Sequence, residues 1–68
     1  MNAMMAVREF TFKGELTRAG IIARLRGRWP GIKPGAFANA IQAMSGGRWQ
    51  RRKVPGGKFL YSLRHGVQ

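Results

Sequence analysis

One stretch limits the fold of this chain more than any other: Pro34-Gly35-Ala36-Phe37-Ala38-Asn39-Ala40-Ile41-Gln42-Ala43-Met44-Ser45, closed by Gly46-Gly47. Phe37, Ala40, Ile41 and Met44 fall at i, i+3, i+4 and i+7, which places them on one stripe of an α-helix. The spacing predicts an amphipathic helix over 34–45, about three turns long. Proline suits the first helical position, where its missing N–H costs nothing, and Gly46 or Gly47 can take the left-handed conformation that ends a helix. The outer side carries Gly35, Ala36, Asn39, Gln42 and Ala43. This surface is thin enough for another molecule to approach, and only Asn39 and Gln42 on it both donate and accept hydrogen bonds. Such amides can pair bidentately with the N6 and N7 edge of adenine in a major groove. More often, exposed Asn and Gln are simply solvated.

The charge of the chain bears on that choice. Lys and Arg total 13 against 2 Asp and Glu, a formal net charge of +11, spread over the chain rather than gathered in a tail. A molecule so charged repels itself and associates with polyanions. Nucleic acid is the commonest, with an anionic membrane surface and an acidic protein as rivals. The 68 residues form one domain, and a chain of this size buries only about 60% of the surface it exposes when unfolded. Cysteine is absent, so neither disulfides nor Cys-based zinc sites can reinforce the small core.

Along the chain, residues 1–6 read as a flexible N-terminus with no signal-peptide pattern, and no apolar run approaches the roughly 18 residues of a membrane span. Val7-Arg8-Glu9-Phe10-Thr11-Phe12-Lys13 alternates and predicts a short strand ended by Gly14, with Phe10 and Phe12 on one face; the small core needs these rings more than a stacking platform would. Glu15 to Trp29 predicts the first helix, with Thr17 as N-cap, Leu16 as a staple, and Ile21, Ile22, Leu25 and Trp29 on its inner stripe. Gly20 suggests close packing of the second helix. Pro30 ends this segment, and Ile32 is expected to plug the space between the two helices. Arg48 to Val54 and Lys58 to Arg64 predict a β-hairpin around Pro55-Gly56-Gly57, with Phe59, Tyr61 and Leu63 sharing one face and Trp49 meeting them. Residues 7–64 thus form the domain and 65–68 a tail.

The inventory argues against catalysis. Glu9 and Glu15 are the only carboxylates and His65 the only histidine, so no triad, carboxylate pair or metal cluster assembles; the expectation is no enzyme, no metal and no cofactor. Gly56-Gly57-Lys58 lacks the spacing and context of a phosphate loop and reads as a hairpin turn. Arginine outnumbers lysine, and its planar fork suits phosphate oxygens and guanine edges. The candidate backbone-contacting cations are Arg18, Lys33, Arg48, Arg51, Arg52, Lys53 and Lys58; the candidate base contacts are Asn39 and Gln42.

The order strand, helix, tight turn, helix and basic Gly-tipped hairpin resembles a winged helix-turn-helix DNA-binding domain over nearly the whole chain, from Phe10 to Arg64. The resemblance rests on element order rather than on a diagnostic motif. It implies a small α+β, winged-helix-like domain, strand-helix-helix-hairpin, whose second helix enters the major groove and whose hairpin contacts the backbone. The family usually has three helices and only two are legible here, so an uncovered apolar face and a homodimer are expected. The expected function is non-catalytic binding of double-stranded DNA by a small cytoplasmic transcriptional regulator, nucleoid-associated if bacterial, or by a replication or recombination accessory factor. Two alternatives remain: an RNA binder stacking bases on Phe10, Phe12, Trp49 and Tyr61, and a protein-interaction module or inhibitor docking on an acidic partner.

Overall fold

The structure, a computed structural model, describes residues 1–44, 47 and 49–63. It is a small α+β domain with the order α1 (Ala3–Glu9), β1 (Leu16–Thr17), α2 (Arg18–Arg28), α3 (Pro34–Met44), β2 (Trp49–Val54) and β3 (Lys58–Leu63). The strands form one antiparallel sheet in the order β1-β3-β2.

Two expectations at the N-terminus are corrected. Residues 3–9 are helical rather than a flexible end followed by a strand: the Asn2 side chain accepts from the Met5 N–H at 2.9 Å, an N-cap for α1. Ala3, Ala6, Val7 and Phe10 stand at i, i+3, i+4 and i+7; Ala6, Val7 and Phe10 are buried, and Ala3 packs against them. The alternation of Phe10 and Phe12 is real, but its rings serve the core from a connecting segment. The first strand is instead Leu16–Thr17, registered Leu16↔Tyr61 and Thr17↔Leu60. Leu16 is therefore a ladder residue beside the helix start. The apolar face that a missing helix would have left bare is covered by α1, which packs on α3, and the physical argument for a homodimer goes with it.

The rest follows the local chemistry. Thr17 caps α2, its Oγ1 accepting from the Gly20 N–H at 3.1 Å. Gly20 faces this cap rather than a second helix: a Cβ there would lie 3.3 Å from Thr17 Oγ1. Trp29 closes α2 through its N–H to the Leu25 carbonyl at 2.8 Å. Pro30-Gly31 then turns the chain, and the Lys33 carbonyl accepts from Ala36 and Phe37 to start α3 at Pro34. At the hairpin tip, the Gly57 N–H returns to the Val54 carbonyl at 3.2 Å around Pro55 and Gly56. Gly56 has φ +95°, the left-handed value that the second central position of a Pro-Gly type II turn requires.

The core gathers α1, α2 and α3 onto the inner face of the sheet. Its largest members are Trp49, Tyr61, Phe37, Ile21, Leu25, Ile41 and Val7, and Ile32 packs against it from the turn. Phe12 meets Trp49 edge-on at 5.4 Å between centroids, and Trp49 meets Tyr61 at 6.3 Å. Edge-to-face pairs of this kind add about 0.5–1.5 kcal/mol beyond the area buried.

The two faces of α3 should respond oppositely to mutation. Phe37→Ala should destabilise by about 3–5 kcal/mol, enough to unfold most of a domain whose total stability is of the order of 0.05–0.15 kcal/mol per residue. Asn39→Ala should stay within about 0.5 kcal/mol; urea titrations followed by circular dichroism measure both.

Candidate nucleic-acid interface

Burying Phe37, Ala40 and Ile41 turns the other side of α3 to solvent. Asn39 and Gln42 are exposed there, with Gly35, Ala36 and Ala43 beside them. α3 carries no charged residue over Pro34–Met44. It can approach a surface of either sign without repulsion but supplies no long-range attraction, so cations elsewhere must provide it.

The hairpin supplies several. Strand alternation places Trp49, Arg51 and Lys53 on one face of β2 and Gln50, Arg52 and Val54 on the other. Trp49 is sealed in the core, while Arg51 and Lys53, closer to the tip, are exposed. The Arg51 guanidinium lies 4.5 Å over the Phe59 ring, a cation–π contact that holds a flexible arm. Arg52 belongs to the opposite face and is already engaged: its Nε and Nη2 donate to the two Glu15 carboxylate oxygens at 2.7 and 2.9 Å. This fork spans the sheet from the residue before β1 to β2. Among the described residues, Arg52 is thus the one expected phosphate contact paired with a carboxylate within the fold.

Lys33 is exposed at the start of α3, and Lys58 is exposed at the start of β3. Arg48 lies outside the described residues. Arg18 is half-buried, with its Nη2 donating to the Tyr61 hydroxyl at 3.1 Å. Around this contact is a cleft of about 430 Å³, where Thr17 and Arg18 at the start of α2 face Lys58, Phe59 and Tyr61 of β3. Burial pushes the Tyr61 phenol up, but hydrogen bonding and charge from Arg18 and Arg51 outweigh it and leave the pKa below the ordinary phenol value. Neither Tyr61 nor Glu15 was expected as a polar partner. No local signal marks them, because Arg18 and Tyr61 are 43 residues apart and Glu15 and Arg52 are 37 apart.

The alternative base-stacking platform is corrected by burial. Trp49 and Tyr61 are 0% exposed and Phe10 8%, so these three rings present no face to an unpaired base, while Phe12 is partly buried against them. Among the described residues, no group of three or more His, Cys, Asp or Glu could hold a metal ion, and no helix is long and apolar enough to cross a membrane. Compared with known proteins, the chain matches no family model, no curated protein and no solved structure.

Tyr61 is the single tyrosine of the chain, so its titration can be read from phenolate absorbance. The midpoint should fall below the ordinary value of 10.0, and Arg18→Gln should raise it. Because the folded pKa is depressed, the associated stability grows as pH rises from the folded value to the unfolded one.

Glu15 follows the same sign in acid. The hydrogen bond from Arg52 holds its carboxyl below the ordinary 4.5 despite some desolvation. Its contribution is complete above the unfolded value and is lost as pH falls through the folded one. Glu15→Gln should therefore lower the thermal midpoint at neutral pH and have little effect once the carboxyl of the parent is protonated.

Proposed function

We propose that this chain is a winged helix-turn-helix domain that binds double-stranded DNA without catalysis, with α3 in the major groove and the β2–β3 hairpin against the backbone. The observation that carries the reading is the division of α3: Phe37, Ala40 and Ile41 are sealed in the core, while Asn39 and Gln42 stand exposed on a side otherwise made of small residues. The helix order and the sheet order β1-β3-β2 support it, since α1 and β1 supply the elements that the local sequence pattern left missing or misplaced. The largest dimension of the domain, 32 Å, is close to the ~34–36 Å of one DNA turn, so one copy can reach phosphates on both sides of a groove.

Affinity in this arrangement comes from Arg18, Lys33, Arg51, Lys53 and Lys58, helped by the exposed arginines 24, 26 and 28 of α2. These charges release condensed counterions when they neutralise phosphates. Sequence preference comes from Asn39 and Gln42, whose amides read the adenine edge. A small regulator or an accessory factor of replication or recombination needs no more machinery than this. Burial of Phe10, Trp49 and Tyr61 disfavours the RNA reading that relied on those rings.

Gel shifts with duplex, single-stranded DNA and RNA at several salt concentrations test the proposal. Duplex binding should fall with a log–log salt slope of roughly −4 to −6, corresponding to about five to seven neutralised phosphates. Asn39→Ala should flatten sequence preference by roughly 1–3 kcal/mol, whereas Lys53→Ala should weaken all sequences alike. Arg52→Ala should weaken them less than Lys53→Ala, because Glu15 already offsets that charge. A sequence preference that survives Asn39→Ala overturns the assignment of α3.

A further inference from the structure

We infer that the cleft between the start of α2 and the tip of the β2–β3 hairpin is a seat for one phosphate group, clamped between Arg18 and Lys58. The inference rests on the DNA-binding reading and goes beyond it by separating one built contact from the diffuse attraction of the other cations.

The donors around the cleft are complementary to an oxygen-rich anion. Arg18 comes from α2 and Lys58 from β3, and no carboxylate lines the space they share. Arg18 donates one N–H to Tyr61, which leaves the remaining N–H groups of its fork for a ligand. The Tyr61 hydroxyl, fully buried, accepts that bond and holds the guanidinium at the edge of the cleft. The Thr17 Oγ1 accepts from the Gly20 N–H, and its hydroxyl proton remains to be donated. Two cations and the Thr17 hydroxyl thus line one space. The positive end of the 11-residue helix α2 opens on the same space and adds to the attraction.

Size and lining extend the assignment. At about 430 Å³ the cleft is much larger than a bare phosphate, and the Phe59 ring and Ala19 give it an apolar wall. The shape accommodates a phosphate attached to a sugar, as in a DNA backbone or at a phosphorylated strand end. The Arg51 guanidinium over Phe59 steadies that wall from outside the cleft. A phosphate bound by both cations ties the hairpin to α2, and through α2 sets the hairpin's angle to α3.

Titration of the full-length ¹⁵N-labelled chain tests this. Inorganic phosphate is added at constant ionic strength maintained with chloride. Saturable shifts should concentrate at residues 17–19 and 57–61 and disappear in Lys58→Gln. Lys58→Gln should weaken duplex binding about tenfold, as expected for loss of a charge-assisted hydrogen bond, while Arg24→Gln, removing an equal charge from α2, should weaken it less than threefold. Arg18→Gln is a second variant, checked for folding in the same spectra; Lys58, exposed on the hairpin, keeps the test decisive if that variant unfolds. Duplexes with and without 5′-phosphates distinguish an internal backbone phosphate from a strand end, and an effect of Lys58→Gln on either supports the seat. If duplex binds but phosphate leaves the cleft residues unshifted, or Lys58→Gln matches Arg24→Gln, the seat is overturned and the DNA reading stands. Saturation of the cleft by phosphate with no duplex binding supports the seat and overturns the DNA reading.

Discussion

Everything in this domain depends on burying one stripe of α3 against α1 and α2 above the aromatic inner face of the sheet. With no cysteine in the chain, the folded state relies on apolar packing for stability. Phe37, Ile41, Trp49 and Tyr61 are the large groups at its centre. Because they occupy the interior side of each element, the outer side of α3 is left to small residues and two amides. The exposed side of that helix is thus a by-product of how the core is filled.

Charge acts as the second constraint. Folding a chain of net charge +11 brings like charges together, and the structure keeps most cations on the surface and far along flexible side chains. The exceptions are informative. Arg52 is held by Glu15 across the sheet, Arg18 leans on the Tyr61 hydroxyl, Arg28 lies 4.6 Å over the Trp29 ring, and Arg51 covers Phe59. Three of these four arginines are positioned by neutral groups, which leave their charge uncompensated. A fold that orders cations without neutralising them has a field suited to a polyanion.

The parts of the fold legible from local pattern are those whose signals are local. The start of α3 follows from Pro34 and its course from the apolar stripe, whereas of the two glycines expected to end it Gly46 lies outside the described residues and Gly47 does not take the left-handed conformation; the hairpin follows from Pro55-Gly56-Gly57 between alternating runs; the cap at Thr17 follows from its position ahead of Ile21 and Leu25. At the N-terminus two periods compete. Val7 to Phe12 satisfies a strand alternation, while Ala3, Ala6, Val7 and Phe10 satisfy a helical one, and the small alanines weaken the helical signal. Packing on α3 decides between them in favour of helix. The two-residue β1 is shorter than any window in which alternation can be seen, and it exists because β3 offers Leu16 and Thr17 a partner edge.

The candidate site divides along the same line. By itself the sequence determined the amphipathic face of α3, the exposure of Asn39 and Gln42, the excess of positive charge and the basic hairpin, because each is a matter of residue type and spacing along one element. Only the tertiary structure decided that Arg52 is spoken for by Glu15, that Trp49 and Tyr61 are fully interior, and that Arg18 meets Lys58 and Tyr61 around one cleft. Those outcomes depend on strand register and on helix placement, which bring together residues some 40 positions apart whose affinity for one another leaves no periodic trace in the chain.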